Sequence, residues 1–204
     1  MVGREWLSQC GKRGRLPEDG LVVASDGELS ELLQRHREDR TQIPPVALTG
    51  GDLWRTLGGP SSVGRWKTNN ARHLQIDLGA ALVDGRFHWF CAHLVVRTSW
   101  LYGKIFVAAN AAYLGSWNIA PRAHPGDGLL DVLESDLILK QRIGALRRLK
   151  SGTHVPHPVI SYRRVKAEEV EFLKEMAVYV DGKPIGKARR LSIRSEPESL
   201  LLVI

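Results

Sequence analysis

The stretch Lys104–Leu133, KIFVAANAAYLGSWNIAPRAHPGDGLLDVL, decides the fold. Residues 105–113 are apolar apart from Asn110, which predicts a strand buried on both faces. Two prolines and two glycines follow between positions 121 and 128. They predict a tight, fixed turn, because proline restricts φ while glycine permits positive φ. Residues 129–133 then resume as a second strand.

Asp131 lies inside that second strand, where period-two alternation makes it either a solvent-facing residue or one with a chemical role. The order of the surrounding motifs resembles the second domain of the diacylglycerol kinase family, which includes bacterial lipid kinases and sphingosine and ceramide kinases. The matching positions are Asn110, Gly115, 119–121 and 127–132. The resemblance implies a β-sandwich domain and transfer of the ATP γ-phosphoryl group to a lipid hydroxyl, with Mg²⁺ as the metal.

Composition favours an anionic partner. The chain has 204 residues, 43% of them apolar and 25% charged, with a net charge of +7. Such a charge is compatible with phosphate, nucleotide, nucleic acid or an acidic membrane surface. Cys10 and Cys91 are the only cysteines, which excludes a disulfide framework and a cysteine-based zinc site. No apolar leader or membrane-spanning run is evident, so we expect a cytoplasmic protein, either free or peripheral at the membrane.

A strand, a turn and a helix are predicted for residues 22–33, VVASDGELSELL. Asp26 is placed either to cap the helix or to help a phosphate bind at its N-terminus. The segment resembles the family's nucleotide-binding loop, VVAGGDGTLNEVL, with Asp26 and Gly27 in place. Three other family positions differ, where Ala24, Ser25 and Glu28 replace two glycines and a threonine.

A second strand-turn-helix follows at residues 46–58 and resembles the family motif PLGTGNDLARTLG. Thr49, Gly50 and Asp52 match, while Leu48 and Gly51 replace a glycine and an asparagine. The resemblance implies that Asp26 and Asp52 lie near nucleotide and metal, and that Gly27, Thr49 and Gly50 contact ATP.

The predicted fold class is α+β, mainly β. The resemblance implies an earlier βα unit for which only about 20 residues are present, so we expect a partial α/β lobe at 1–62 and a β-sandwich domain at 63–204. The strand-like segments of the second domain are 73–78, 85–94, 104–112, 129–133, 159–165, 168–173, 177–180, 190–195 and 200–204.

One amphipathic helix is predicted between Asp136 and Lys150. Its basic residues form either a solvated face or a surface that binds anionic lipid. Trp89, Trp100 and Tyr102 are likewise either core residues or anchors at a lipid interface. The apolar side is formed by Leu139, Ile143, Leu146 and Leu149, and the basic residues are Lys140, Arg142, Arg147, Arg148 and Lys150.

Two segments are candidates for a metal. His154 and His157 have ligand-forming side chains but no third ligand nearby in sequence. The resemblance implies an oxygen-only Mg²⁺ or Ca²⁺ site at Asp127 with the carbonyls of His124 and Leu129. The family's preceding aspartate is glycine in this chain.

The segment YVDGKPIG, residues 179–186, predicts a hairpin turn. The family reads DGE here, and the resemblance assigns its glutamate as the base that takes the proton of the lipid hydroxyl. Lys183 stands at that position, and an ammonium group has no lone pair. We therefore expect a kinase-like protein with reduced or lost activity that retains lipid, nucleotide or partner binding. The alternative is an active phosphotransferase completed by another subunit, as a homo- or hetero-oligomer; nucleic-acid binding has no motif to support it.

Overall fold

The computed structural model describes residues 11–59, 64–156 and 158–204. Most of its elements are strands, and the α+β, mainly β prediction is confirmed. The helices are α1 (Asp26–Glu38), α2 (Asp52–Thr56) and α3 (Leu139–Leu149), with a 3-10 helix at Arg65–Lys67. The strands are β1 (Leu21–Val23), β2 (Val46–Leu48), β3 (His73–Val83), β4 (Arg86–Phe90), β5 (His93–Arg97), β6 (Ile105–Ala109), β7 (Tyr113–Leu114), β8 (Trp117–Asn118), β9 (Leu130–Ser135), β10 (Ile160–Val165), β11 (Ala167–Val180) and β12 (Lys183–Val203).

The strands form a ten-stranded sheet with the order β1-β2-β12-β11-β5-β6-β9-β10, and β3 pairs with both β12 and β4. The strand predicted over 105–113 is confirmed only as far as Ala109, where β6 ends, and β6 pairs with both β5 and β9. One face of β6 packs Phe106 against Phe172 in the main core. The other face packs Val107 beneath α3 and the segment that contains Ile119.

The first strands continue this sheet. β1 and β2 are parallel, and β2 also pairs in parallel with the end of β12, with Val46 opposite Leu202. Helix α1 covers them with Leu29 and Leu33, which are fully buried. The N-terminal segment thus packs on the β-rich part, and the proposed domain boundary at 62/63 stays a prediction.

The prediction of one continuous strand over 85–94 was wrong, because the segment is divided into β4 and β5 at Cys91 and Ala92. The carboxylate of Asp181 accepts the N–H groups of both residues, so these groups do not pair along a strand. The four predicted segments after residue 167 are parts of two long strands, β11 and β12. Irregular register, between Glu171 and Met176 and between Glu196 and Leu200, lets these long strands bend.

Asp131 does not face solvent. It is 0% exposed, because the sheet face that carries it is covered by α3 and by residues 119–123. Its pKa is raised, chiefly by burial.

The helix predicted between Asp136 and Lys150 is confirmed as α3, but its faces differ from the prediction. Arg142 is buried, and its guanidinium donates to the carbonyls of Leu137, Trp100 and Gly103. Leu139 and Ile143, expected on the inner side, are 56% and 44% exposed. The hydrogen bonds from Arg142 to these backbone carbonyls therefore fix the orientation of α3 on the sheet. Among the described residues, no helix is long and apolar enough to cross a membrane.

Candidate functional site

Three aspartates, which we call the aspartate cluster, converge from separate parts of the chain. Asp26 begins α1, Asp52 begins α2, and Asp181 lies in the turn between β11 and β12. The Asp26 carboxylate accepts the N–H groups of Asp52 and Leu53, and so it caps α2 rather than α1, whose N-cap is Ser25. A side chain at Gly51 would overlap that carboxylate, and φ at this glycine is +99°. Glycine at 51 is thus what allows the two turns to touch.

The carboxyl groups of this cluster hold protons more tightly than usual. Burial raises the pKa of Asp26 to about 7, and the negative charges of Asp181 and Asp52 add to the rise. The Cys91 Sγ lies 3.4 Å from Asp181 Oδ2 and 3.6 Å from the Asp26 carbonyl oxygen, which joins the two turns. Burial also raises the pKa of the Cys91 thiol well above its usual value, so it stays a thiol.

Asp181 is a member of this site that sequence reasoning missed. Its φ is +46°, and its carboxylate accepts the N–H groups of Cys91, Ala92 and His93, each at 2.9 Å. Asp181 retains some exposed surface, yet burial of the carboxylate raises its pKa to about 6. The available signal was the Asp-Gly dipeptide of the hairpin, which predicts a turn but not the group that its carboxylate binds.

Asp52 faces a histidine that sequence reasoning also missed. Its Oδ1 accepts the Gly115 N–H at 2.7 Å, and its Oδ2 lies 3.9 Å from Nδ1 of His93. Nε2 of His93 lies 3.0 Å from the Ala111 carbonyl, so Nε2 carries the proton and Nδ1 presents its lone pair to Asp52. Burial lowers the pKa of His93 to about 4, so the ring is neutral at neutral pH. Burial also raises the pKa of Asp52.

Asn110, from the motif that resembles the lipid kinases, has a structural contact here. Its side-chain amide donates to the carbonyls of Asp77 and Cys91 at 2.8 and 2.9 Å. It thereby holds the break between β4 and β5 against β3. That break carries the N–H groups that Asp181 binds.

The predicted nucleotide turn is closed by the protein's own side chains. Ser25 Oγ accepts the Glu28 N–H at 3.2 Å, and the Glu28 carboxylate accepts the Ala24 N–H at 2.8 Å. Thr49 donates to the Val23 carbonyl, and a side chain at Gly50 would overlap the Ala24 carbonyl. At this turn the Glu28 carboxylate therefore occupies the Ala24 N–H, a donor that an anion would otherwise bind.

Lys183 lies beside the same turn. Its ammonium group forms an ion pair with Glu31 of α1, and both side chains are well exposed. A side chain at Gly27 would come within 2.8 Å of Lys183 Cε. Gly27 is thus covered by Lys183, and the position of the family's base holds a cation paired with α1.

Two of the proposed oxygen ligands of the metal loop, Asp127 and the His124 carbonyl, have protein partners. Asp127 Oδ1 accepts the Leu129 N–H at 3.1 Å and Oδ2 pairs with Arg164, while the His124 carbonyl accepts the Gly126 N–H at 2.8 Å. A metal here stays a prediction that requires Arg164 to leave Asp127.

Only one of the two histidines proposed as metal ligands lies within the described residues. His154 is buried with Nε2 on the Ile119 carbonyl, and His157 lies outside the described residues. No cluster of three or more His, Cys, Asp or Glu suited to a metal occurs in the ranges that the structure describes.

Two hollows share a border, and one of them lies next to the aspartate cluster. An open groove of about 410 Å³ is bordered by Gly115 and Gly182, whose turns carry the contacts of Asp52 and Asp181. A smaller apolar cavity of about 90 Å³ lies beneath α3. Trp100 and Trp117 border both hollows and pack edge to face with centroids 5.7 Å apart.

Comparison with known proteins agrees with this architecture. A family model described as the YegS C-terminal NAD kinase beta sandwich-like domain matches residues 75–204. A structure from Bacillus anthracis str. Sterne, assigned to the diacylglycerol kinases, is similar with a TM-score of 0.69 and 16% identity over 90% of this chain and 77% of that chain. A further diacylglycerol kinase structure from that organism has a TM-score of 0.64 and 16% identity, over 90% of this chain and 75% of that one. At such identity the likeness establishes the fold. No curated protein matches the sequence.

Proposed function

Because this chain belongs to the bacterial lipid kinase family that carries the YegS C-terminal NAD kinase beta sandwich-like domain, we propose that it is a lipid-binding member whose ATP-dependent phosphorylation of a lipid hydroxyl is reduced or lost. The observation that carries the proposal is the hydrogen bond between the Glu28 carboxylate and the Ala24 N–H at 2.8 Å. It puts a negative charge at the turn where the family resemblance implies ATP phosphates.

Two further features disfavour ATP binding and phosphoryl transfer, which we call the donor side of the reaction. Lys183 occupies the place of the family's general base, and its ammonium group is paired with Glu31. The Asp26 carboxylate takes the first N–H groups of α2, so these donors do not reach a ligand. ATP with Mg²⁺ is the cofactor that the resemblance implies, and these contacts favour weak binding of it.

The acceptor side keeps features suited to a lipid. Helix α3, which covers the apolar cavity, also carries the exposed apolar side chains of Leu139 and Ile143. Basic residues of α3, including Lys140, Arg147 and Arg148, are exposed on the same helix. This combination favours binding at an anionic lipid surface, with a gain of about 1 kcal/mol for each basic residue near the surface.

The first test is calorimetry of the purified chain with ATP and Mg²⁺. We expect a dissociation constant of about 1 mM or weaker, equivalent to roughly 4 kcal/mol. A radiolabelled-ATP assay over diacylglycerol and sphingoid lipids should then show no product. Low-micromolar ATP affinity or robust turnover would refute the loss of the donor side.

The second test is sedimentation with lipid vesicles. Vesicles that contain phosphatidylglycerol should retain more protein than pure phosphatidylcholine vesicles, and the difference should fall with rising salt because screening shortens the range of the attraction. Replacing Arg147 and Arg148 by glutamine should reduce the difference, whereas the same change at Arg189 and Arg190 on β12, both well exposed, is the matched control. Equal sedimentation with both vesicle types would reject this part of the proposal.

The second candidate is an active lipid phosphotransferase completed by another subunit. It is favoured by the aspartate cluster, where the pKa of Asp26 is about 7 and that of Asp181 about 6. Groups with such pKa values suit proton transfer near neutral pH. Turnover by the unmodified chain that is abolished in Asp52→Ala would favour this candidate.

A further inference from the structure

The groove beside the aspartate cluster contains an arginine without an anionic partner. Arg97 is the last residue of β5, and its guanidinium lies between the rings of Trp100 and Tyr179, at 4.8 and 4.5 Å from their centroids. Its Nε is buried and has no hydrogen-bond partner within the described ranges. No carboxylate of those ranges forms an ion pair with it.

This arrangement is costly without a ligand. A guanidinium offers five N–H donors in a planar fork, and a buried donor that lacks an acceptor costs stability. The aromatic faces of Trp100 and Tyr179 hold the plane of the group but accept none of its in-plane hydrogen bonds. An anion in the groove would supply both the charge and the acceptors, and a phosphate can accept two hydrogen bonds from the fork of Arg97.

The surroundings of Arg97 determine what kind of anion fits. Trp100 also borders the apolar cavity beneath α3, so the apolar surface continues from the arginine through the Trp100–Trp117 pair. The two residues that follow Trp100 in the chain are also exposed, Leu101 by 55% and Tyr102 by 64%. A ligand that fills both parts has an anionic group joined to an apolar one.

We propose that Arg97, held between Trp100 and Tyr179, binds the phosphate of a phospholipid whose apolar part crosses Trp117 toward the cavity beneath α3. The inference rests on the proposed lipid-binding function and names its ligand class. The lipid is a phosphate-bearing glycerolipid rather than an uncharged diacylglycerol. A phosphate at Arg97 leaves the rest of the head group near Gly115 and Gly182, the turns that carry the contacts of the aspartate cluster.

The test is calorimetry of the whole chain with three probes: dihexanoyl phosphatidic acid, dihexanoylglycerol and inorganic phosphate, the lipids as monomers. We compare wild type with Arg97→Gln and Arg97→Lys. Arg189→Gln on β12, 60% exposed, is the control with the same change in net charge. We expect Arg97→Gln to weaken binding of phosphatidic acid about 10- to 100-fold, the range for a hydrogen-bonded charge, and to leave dihexanoylglycerol unchanged. Arg189→Gln should change neither.

The outcomes separate this inference from the proposed function. Equal affinity of wild type for both lipids, with no effect of Arg97→Gln, would overturn the phosphate subsite and leave lipid binding standing. No binding of either lipid would overturn lipid binding itself. Inorganic phosphate that binds as tightly as phosphatidic acid would show a free-anion site and refute the phospholipid assignment.

A loss of folding in Arg97→Gln would move the test to Arg97→Lys, which keeps the charge but not the planar fork. Lysine should weaken phosphatidic acid binding less than glutamine does, and measurably. Unchanged affinity in a folded Arg97→Lys that still discriminates between the lipids would refute a role for the guanidinium fork. Thermal melts of all variants identify which of them are folded.

Discussion

Asp26 should make the protein less stable as pH rises from about 4 to about 7, and Asp26→Asn should remove that loss. Burial raises the pKa of this carboxyl from 3.8 to about 7 in the folded chain. Between these values the folded state binds more protons than the unfolded state, so the free energy of unfolding falls with rising pH. The stability is fully present below the unfolded pKa and is lost above the folded one. A shift of about three units corresponds to about 4 kcal/mol.

The measurement is urea denaturation of wild type and Asp26→Asn from about pH 4 to about pH 8, the window that the two pKa values set. Asparagine keeps one acceptor for the N–H groups of Asp52 and Leu53, and the loss of the other is the same at every pH. The difference between variant and wild type should therefore move in favour of the variant by about 4 kcal/mol across the window.

Asp39→Asn is the matched control, because Asp39 is an exposed aspartate at the other end of α1. At each pH, the difference in free energy of unfolding between Asp39→Asn and wild type is subtracted from the difference for Asp26→Asn. Parallel stability curves for wild type and Asp26→Asn would mean that the Asp26 carboxyl is not buried as described. The reasoning that groups it with Asp181 and Asp52 would then be refuted.

Three further changes test other parts of the structure. Glu28→Thr should tighten ATP binding about fivefold by calorimetry, because a nearby like charge costs about 1 kcal/mol in water. Glu38→Thr at the far end of α1 is its control. An equal effect of both changes would contradict the role of Glu28. Lys183→Glu should restore little lipid phosphorylation in a radiolabelled-ATP assay, since positioning supplies most of phosphoryl-transfer catalysis, and should shift stability by about 0.5 kcal/mol or less; high turnover in this variant would show that the base alone was missing. Arg142→Met should destabilise the fold by about 1 to 3 kcal/mol in urea denaturation, because the carbonyls that its guanidinium binds lose their donor, whereas exposed Arg147→Met should change little.

Several expectations remain predictions after the structure. They include the ATP contacts of Gly27, Thr49 and Gly50, the metal loop at Asp127, the membrane surface on α3, any oligomer and the cytoplasmic location. The calorimetric and vesicle experiments described above test the ATP contacts and the membrane surface.

Local sequence determined most of the elements. Alternating apolar residues predicted the β-rich part, and the two strand-turn-helix segments correspond to β1–α1 and β2–α2. The helix between Asp136 and Lys150 was also predicted from its spacing. These features are readable because helix and strand periods depend on residues only a few positions apart.

Tertiary structure alone decided which residues meet. Asp26, Asp52, His93 and Asp181 lie far apart in sequence, and only the pairing of β11 with β5 brings the Asp181 turn onto the N–H groups after β4. The same long-range packing buries Arg142 and Asp131, which local patterns place at the surface. Periodicity can say which side of an element is apolar, but the strand register and the neighbours across the sheet determine what a polar side chain contacts.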